Sequence, residues 1–234
     1  MNAENGSARH ALLVLGGRSE LAFVELHGEP LYAHALRALA DASGPVIVGV
    51  DAPDLRRVRD DVARWRLPVT VLVHDEWWGT VRQAPGRGLL AHDVLCPLVT
   101  PQFLASVASR ADEDPDTAFV AVRPVTDTLK TVVDGQIQGT IDREGLAAVT
   151  SPLVVPGHLL AAAAADEPPP IHDFAEMVTW LRARGNVELV RAPLLGRRVE
   201  HHRAVHLLEC VDEVGRRVRT EAGHPAGSVA EDRP

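Results

Sequence analysis

Four short, nearly uninterrupted apolar runs recur along the chain: HALLVLGG from His10, PVIVGV from Pro45, PVTVLV from Pro68 and TAFVAV from Thr117. A strand with one wet face alternates apolar and polar residues, so runs this uniform suit strands covered on both faces. Helix-like stretches separate them. Residues 30–42 open at Pro30 and close near Gly44, and 53–66 and 101–110 follow the same pattern. A further strand is expected near 89–95. This alternation predicts an α/β fold built on a mainly parallel sheet with helices on both faces.

Beyond Thr117 the pattern changes. RPVTDTLKTVVDGQIQGTIDREGL reads as two extended segments joined at Asp134-Gly135, an arm inserted at about 123–150. Helices are then expected at 158–165, 173–184 and 201–214, with a short strand at VELV. In the second of these, Phe174, Met177, Val178 and Leu181 have the spacing of one buried face. The sequence therefore predicts one domain over 10–214, flanked by flexible polar tails at 1–9 and 215–234.

A chain of 234 residues can enclose a substantial core. Its formal charge of -8 argues against a nucleic-acid scaffold, which needs a basic face. Cys96 and Cys210 have neither metal-ligand spacing nor the look of a disulfide framework. No apolar run reaches membrane-spanning length, and MNAENGSARH lacks the pattern of a secretory signal. A soluble, cytoplasmic protein is the expectation.

Open parallel sheets bind ligands beyond the carboxyl ends of their strands. Gly16-Gly17-Arg18, after the first strand, could offer backbone amides to a phosphate with Arg18 adding charge, or be only a tight turn. Neither GxxxxGK[ST] nor GxGxxG occurs at this loop. Asp93, in LLAHDVLCPLV, suits Mg2+, which prefers oxygen ligands, or a cap on the next turn. On the arm, Thr128 and Arg143 are a hydroxyl donor and a fork-shaped cation, the sort of pair that grips a phosphate ester. The other reading of the arm is a cross-strand pair between Asp127 or Asp142 and Lys130 or Arg143. Lys130 is the only lysine in the chain. A two-stranded arm buries little by itself, so it must pack on something such as a second subunit.

Three other features bear two readings each. His202 and His206 share a helix face with Glu209 beyond them, yet Arg203 stands where an HExxH zinc motif needs glutamate. Trp77-Trp78 suits base stacking or packing. Cys96 is read as a small buried apolar group rather than a nucleophile.

Three segments together resemble a known family. LLAHDVLCPLVTPQFL is similar to its His-Asp and Pro-Leu-Val segment, RPVTDTLK…GTIDREGL to its DTxK…TxDR arm, and HGEPLYAHAL to its first helix. The chain resembles, over about 11–212, the methylerythritol-phosphate cytidylyltransferases and their ribitol-phosphate relatives. The resemblance implies a Rossmann-like nucleotidyltransferase fold and a homodimer whose arms reach into each other's sites. It implies that a sugar or polyol phosphate attacks the α-phosphorus of CTP and releases pyrophosphate with Mg2+ present. By position, Asp93 would be the metal ligand, and Thr128, Lys130 and Arg143 would serve the sugar phosphate. Gly16, Gly17 and Arg82 would fall to the nucleotide.

The family's nucleotide loop is longer and is followed by a lysine that stabilises the transition state. Here Leu21 stands at about that position. Arg18 and Arg198 are then the candidate catalytic cations, the latter replacing a lysine of an Asp-Asn-x-Lys segment whose second metal aspartate is missing. WWGTVRQAPGRG keeps Arg82 but leaves almost no room for a base-recognising helix, and Val94-Leu95 replaces an Ala-Arg pair. Two readings follow: a sugar-phosphate nucleotidyltransferase with an eroded nucleotide site, or a catalytically inactive dimeric member acting in binding or regulation.

Overall fold

In a computed structural model, residues 9–84, 86–163 and 167–222 are described. The first apolar run forms β1 (Arg9–Val14) and leads through α1 (Ser19–Ala22) to a small hairpin, β2 (Glu25–Leu26) and β3 (Glu29–Pro30). Next come α2 (Leu31–Ser43), β4 (Val46–Val50), α3 (Leu55–Trp65), β5 (Val69–Val73) and α4 (Trp77–Arg82). The centre of the chain gives β6 (Gly88–Asp93), α5 (Pro101–Glu113) and β7 (Thr117–Pro124). The arm is β8 (Leu129–Val133) and β9 (Gln136–Ile141), and β10 (Ala147–Val155) returns from it. The remainder is α6 (Gly157–Ala162), α7 (Phe174–Arg182), β11 (Asn186–Arg191) and α8 (His202–Ala222).

Seven strands make one sheet in the order β11-β7-β10-β6-β1-β4-β5. Only β10 runs against its neighbours, β6 and β7. It does so because the arm carries the chain straight back beside β7, whereas the parallel pairs need helical crossovers. The period-two pleat divides β1 between two cores. Leu13 joins the layer of α2, α3, α5 and α8, while Leu12 and Val14 join Trp77, Leu159 and Met177 on the other face. The expected three-layer Rossmann-like architecture is present.

Helix starts follow local chemistry. Pro101 opens α5 behind Thr100, whose hydroxyl accepts from the Phe103 amide at 3.3 Å. Asp173 caps α7 by accepting from the amides of Ala175 and Glu176 at 2.7 and 3.1 Å. Two expectations need revision. WWGTVR does form a helix, α4, though only of six residues, with Trp77 and Trp78 buried as its anchors. The last helix does not stop at 214 but runs to Ala222. Polar sequence here reflects a helix with a wet face, and Arg216 pairs with Asp212 one turn back at 2.7 Å. Gly215 lowers helix propensity by only about 1 kcal/mol relative to alanine. Of the anticipated tails, Arg9 begins β1, and 1–8 and 223–234 lie outside the described residues. Among the described residues no helix is long and apolar enough to cross a membrane.

All six residues of β6 are buried, including His92 and Asp93. His92 Nδ1 lies 2.5 Å from the Ser151 hydroxyl, and its Nε2 has no partner among the described residues. Burial pushes the imidazole down to about 4, so it is neutral in the fold. The unfolded chain takes up this proton near the ordinary value of 6.5, so stability falls as pH drops from there towards 4. One such group gives a slope of up to about 1.4 kcal/mol per pH unit. Urea unfolding across that range should show this loss, and His92→Asn should flatten it. Leu104, fully buried on α5, gives an independent check of the core: Leu104→Ala should cost about 2–5 kcal/mol in the same measurement.

Candidate functional site at the carboxyl ends of the central strands

The loop after β1 is held tightly from inside. The Gly16 amide donates to the Gly49 carbonyl at 2.9 Å, the Arg18 amide to Leu15 at 3.0 Å, and the Gly17 amide to Asp51 Oδ2 at 2.9 Å. His74 packs so closely on Gly16 that a Cβ there would lie 2.4 Å from the imidazole Nδ1. Gly17 has φ +73, which favours glycine. The amides that could cradle a phosphate thus already have acceptors, one of them a carboxylate. Asp51 was not singled out in the sequence, although an acid directly after the apolar run PVIVGV was a visible signal.

Asp93 ends β6 with its side chain almost fully buried. Its Oδ1 lies 2.8 Å from Arg18 Nε, a charge contact rather than an aligned hydrogen bond, and accepts from the Leu95 amide at 3.0 Å. Its Oδ2 accepts from Arg198 Nε at 2.9 Å. Burial alone would raise this carboxyl, but Arg18 and Arg198 hold it below the ordinary carboxylate value. The reciprocal effect raises Arg198 against its own burial. Arg18 is anchored further, donating to the carbonyls of Gly16 at 3.0 Å and His172 at 2.8 Å. Arg198 is different: 37% of its side chain is exposed, and its terminal nitrogens make no hydrogen bond among the described residues.

These groups line a cleft of about 370 Å³, with residues 147–150 of β10, the start of α7, and Glu200 around it. Mg2+ takes about six oxygen ligands at roughly 2.1 Å. Here both oxygens of Asp93 face guanidinium groups, and Asp173 is engaged as a helix cap. No cluster of three or more metal-ligating side chains occurs among the described residues. The donor set does not fit a divalent cation.

The other residues singled out from sequence are distributed more widely. Thr128, Lys130 and Arg143 sit on or beside the arm and do not line the cleft of their own chain. Lys130 donates to Thr140 Oγ1 at 2.5 Å, and Arg143 donates to the Thr126 carbonyl. Arg82 lies over the Trp78 ring, 5.7 Å from its centre, beside a separate crevice with Arg87 and Leu160. Leu21 packs against the core, so its position presents no cation. His206 faces Glu209 at 3.4 Å and is largely exposed. Cys96 is buried, 3.2 Å from Thr150 Oγ1, and burial pushes its thiol up to about 12, which leaves it inert.

Comparison with known proteins agrees with this architecture. A bifunctional enzyme IspD/IspF from Nitratidesulfovibrio vulgaris is 32% identical over 147 residues, 56% of this chain and 36% of its own. The chain thus spans about a third of that relative. The 2-C-methyl-D-erythritol 4-phosphate cytidylyltransferase of Saccharopolyspora erythraea is 32% identical over 151 residues, 59% of this chain and 67% of its own. The solved cytidylyltransferase of that name from Thermus thermophilus superposes with a TM-score of 0.65 over 86% of this chain and 98% of its own, at 21% identity. That last likeness concerns fold alone. The sequence model of the 2-C-methyl-D-erythritol 4-phosphate cytidylyltransferase family matches residues 15–192, and the chain belongs to that family.

Proposed function

We propose that the chain is a single-domain cytoplasmic protein that transfers a cytidylyl group from CTP to a sugar or polyol phosphate, with 2-C-methyl-D-erythritol 4-phosphate as the first substrate to test. The observation that carries this reading is the outward edge of Arg198, held over buried Asp93 in the cleft. A planar guanidinium with its terminal N–H groups open suits a phosphate ester. In the transfer, an oxygen of that ester attacks the α-phosphorus of CTP, a P–O bond forms, and pyrophosphate leaves. Arg198 orients the ester. With Leu21 in the lysine position and Arg18 tied to internal carbonyls, the reaction runs slowly; loss of one such donor commonly costs on the order of 10²–10³ in rate.

The arm completes the site in a homodimer on this reading. Val132, Val133, Ile137 and Ile141 expose apolar surface on it, 43–69% each, which a second copy would cover. No ion pair joins Asp127 or Asp142 to Lys130 or Arg143 among the described residues. Lys130 and Arg143 instead bond within the arm, to Thr140 and the Thr126 carbonyl, and on this reading they turn with Thr128 to a partner's cleft in the dimer.

A second reading, ligand binding without transfer, is favoured by one observation. Asp51 already occupies the Gly17 amide that a nucleotide phosphate would need.

Pyrophosphate release from CTP and 2-C-methyl-D-erythritol 4-phosphate with Mg2+ should be slow but real, and absent in Arg143→Ala. Folded protein that gives no turnover, yet is stabilised by the sugar phosphate, would establish the second reading. Deleting residues 128–142 should convert the dimer to monomer in sedimentation; a deletion variant that still sediments as a dimer refutes the role assigned to the arm.

A further inference from the structure

We infer that the two guanidinium groups on Asp93 take the place of a divalent cation, so that the cleft binds its phosphate ester without metal. This rests on the reading of the cleft as a phosphate-ester site, but not on CTP being the nucleotide.

The first reason is occupancy. Arg18 Nε and Arg198 Nε lie at 2.8 and 2.9 Å from the two oxygens of Asp93, and the Leu95 amide takes a further lone pair. Three of the roughly four acceptor sites of this carboxylate are thus taken, and two adjacent guanidinium groups repel a metal ion unless one of them leaves. Arg18 is the harder one to move, because its terminal nitrogens are bound to the carbonyls of Gly16 and His172 and its side chain is 5% exposed. Displacing it would leave a buried, unpaired cation.

The second reason is charge. A divalent ion on one carboxylate leaves a net charge of one positive unit. Two guanidinium groups on one carboxylate leave the same net charge, and arginine stays protonated at any physiological pH. The surplus is placed where a ligand can use it. Arg198 engages Asp93 through Nε alone, its terminal nitrogens are open to the cleft, and Asp93 fixes the plane of the fork. Neighbouring Glu200 offsets part of that surplus at Arg198, so an incoming anion has to outcompete a carboxylate for the guanidinium. A phosphate dianion does so, with charge and bidentate geometry together.

The test is titration calorimetry of the full chain with 2-C-methyl-D-erythritol 4-phosphate, in EDTA and in millimolar Mg2+. The dissociation constants should agree within about threefold, and Arg198→Ala should weaken both by about tenfold or more. The half-exposed Arg198 lets that variant fold, which its thermal midpoint verifies. In parallel, the spin-resonance signal of free Mn2+ should be unchanged by the protein with or without the ester. Binding that tightens about tenfold with Mg2+, or a Mn2+ signal lost on adding the protein and restored by Asp93→Asn, overturns the proposal. Absence of ester binding in both buffers overturns it as well. Failure of CTP turnover with metal-independent ester binding intact would count only against the transferase reading.

Discussion

The ion pair between Arg18 and Asp93 joins four parts of the chain that are far apart in sequence. Arg18 belongs to the loop after β1, Asp93 to the end of β6, His172 to the approach to α7, and Arg198 to the segment before α8. A charge this deeply buried tolerates no gap: removing one partner of such a pair typically costs about 3–5 kcal/mol because the other is left unpaired. Each segment therefore restricts the others. The cleft is bounded by the residues these contacts fix, so its shape depends on Arg18, Asp93 and Arg198 together.

The same internal satisfaction extends to the glycine loop. A turn with free amides attracts anions; here Asp51 supplies the anion from within, and His74 closes over Gly16. Sequence comparison places the chain in the 2-C-methyl-D-erythritol 4-phosphate cytidylyltransferase family, whereas its glycine loop is satisfied by acceptors of its own. Fold and site thus carry separate information.

The parallel sheet was legible because its strands are apolar without alternation, a signal that depends only on burial on both faces. The arm was legible from Asp134-Gly135 and the extended segments on either side, and Asp134 and Gly135 do both adopt positive φ. The extent of α8 was missed because a helix with a polar face and a disordered tail share a composition. Asp93 and Arg198 could be chosen singly from sequence, but nothing in their spacing of 105 positions says that they touch. Long-range pairing is set by topology, here by β6 ending at the centre of the sheet and the segment before α8 returning to it, where the Val199 amide donates to the Leu95 carbonyl at 2.7 Å. Arg82 illustrates the reverse: position within a motif placed it at the nucleotide, and the indole of Trp78 supplied a nearer partner.

β10 ties the arm to the cleft through its place in the sheet. It leaves the arm at Ala147 and within four residues reaches Thr150 and Ser151, which hold the Gly196 carbonyl, the Cys96 thiol, the His92 imidazole and the Asp93 amide. Its pairing with β7 is irregular between Val149 and Leu153, so Thr150 and Ser151 lie in a bulge, where a strand re-aims its side chains. The arm outside the sheet and the floor of the cleft inside it are thus separated by a single short piece of backbone.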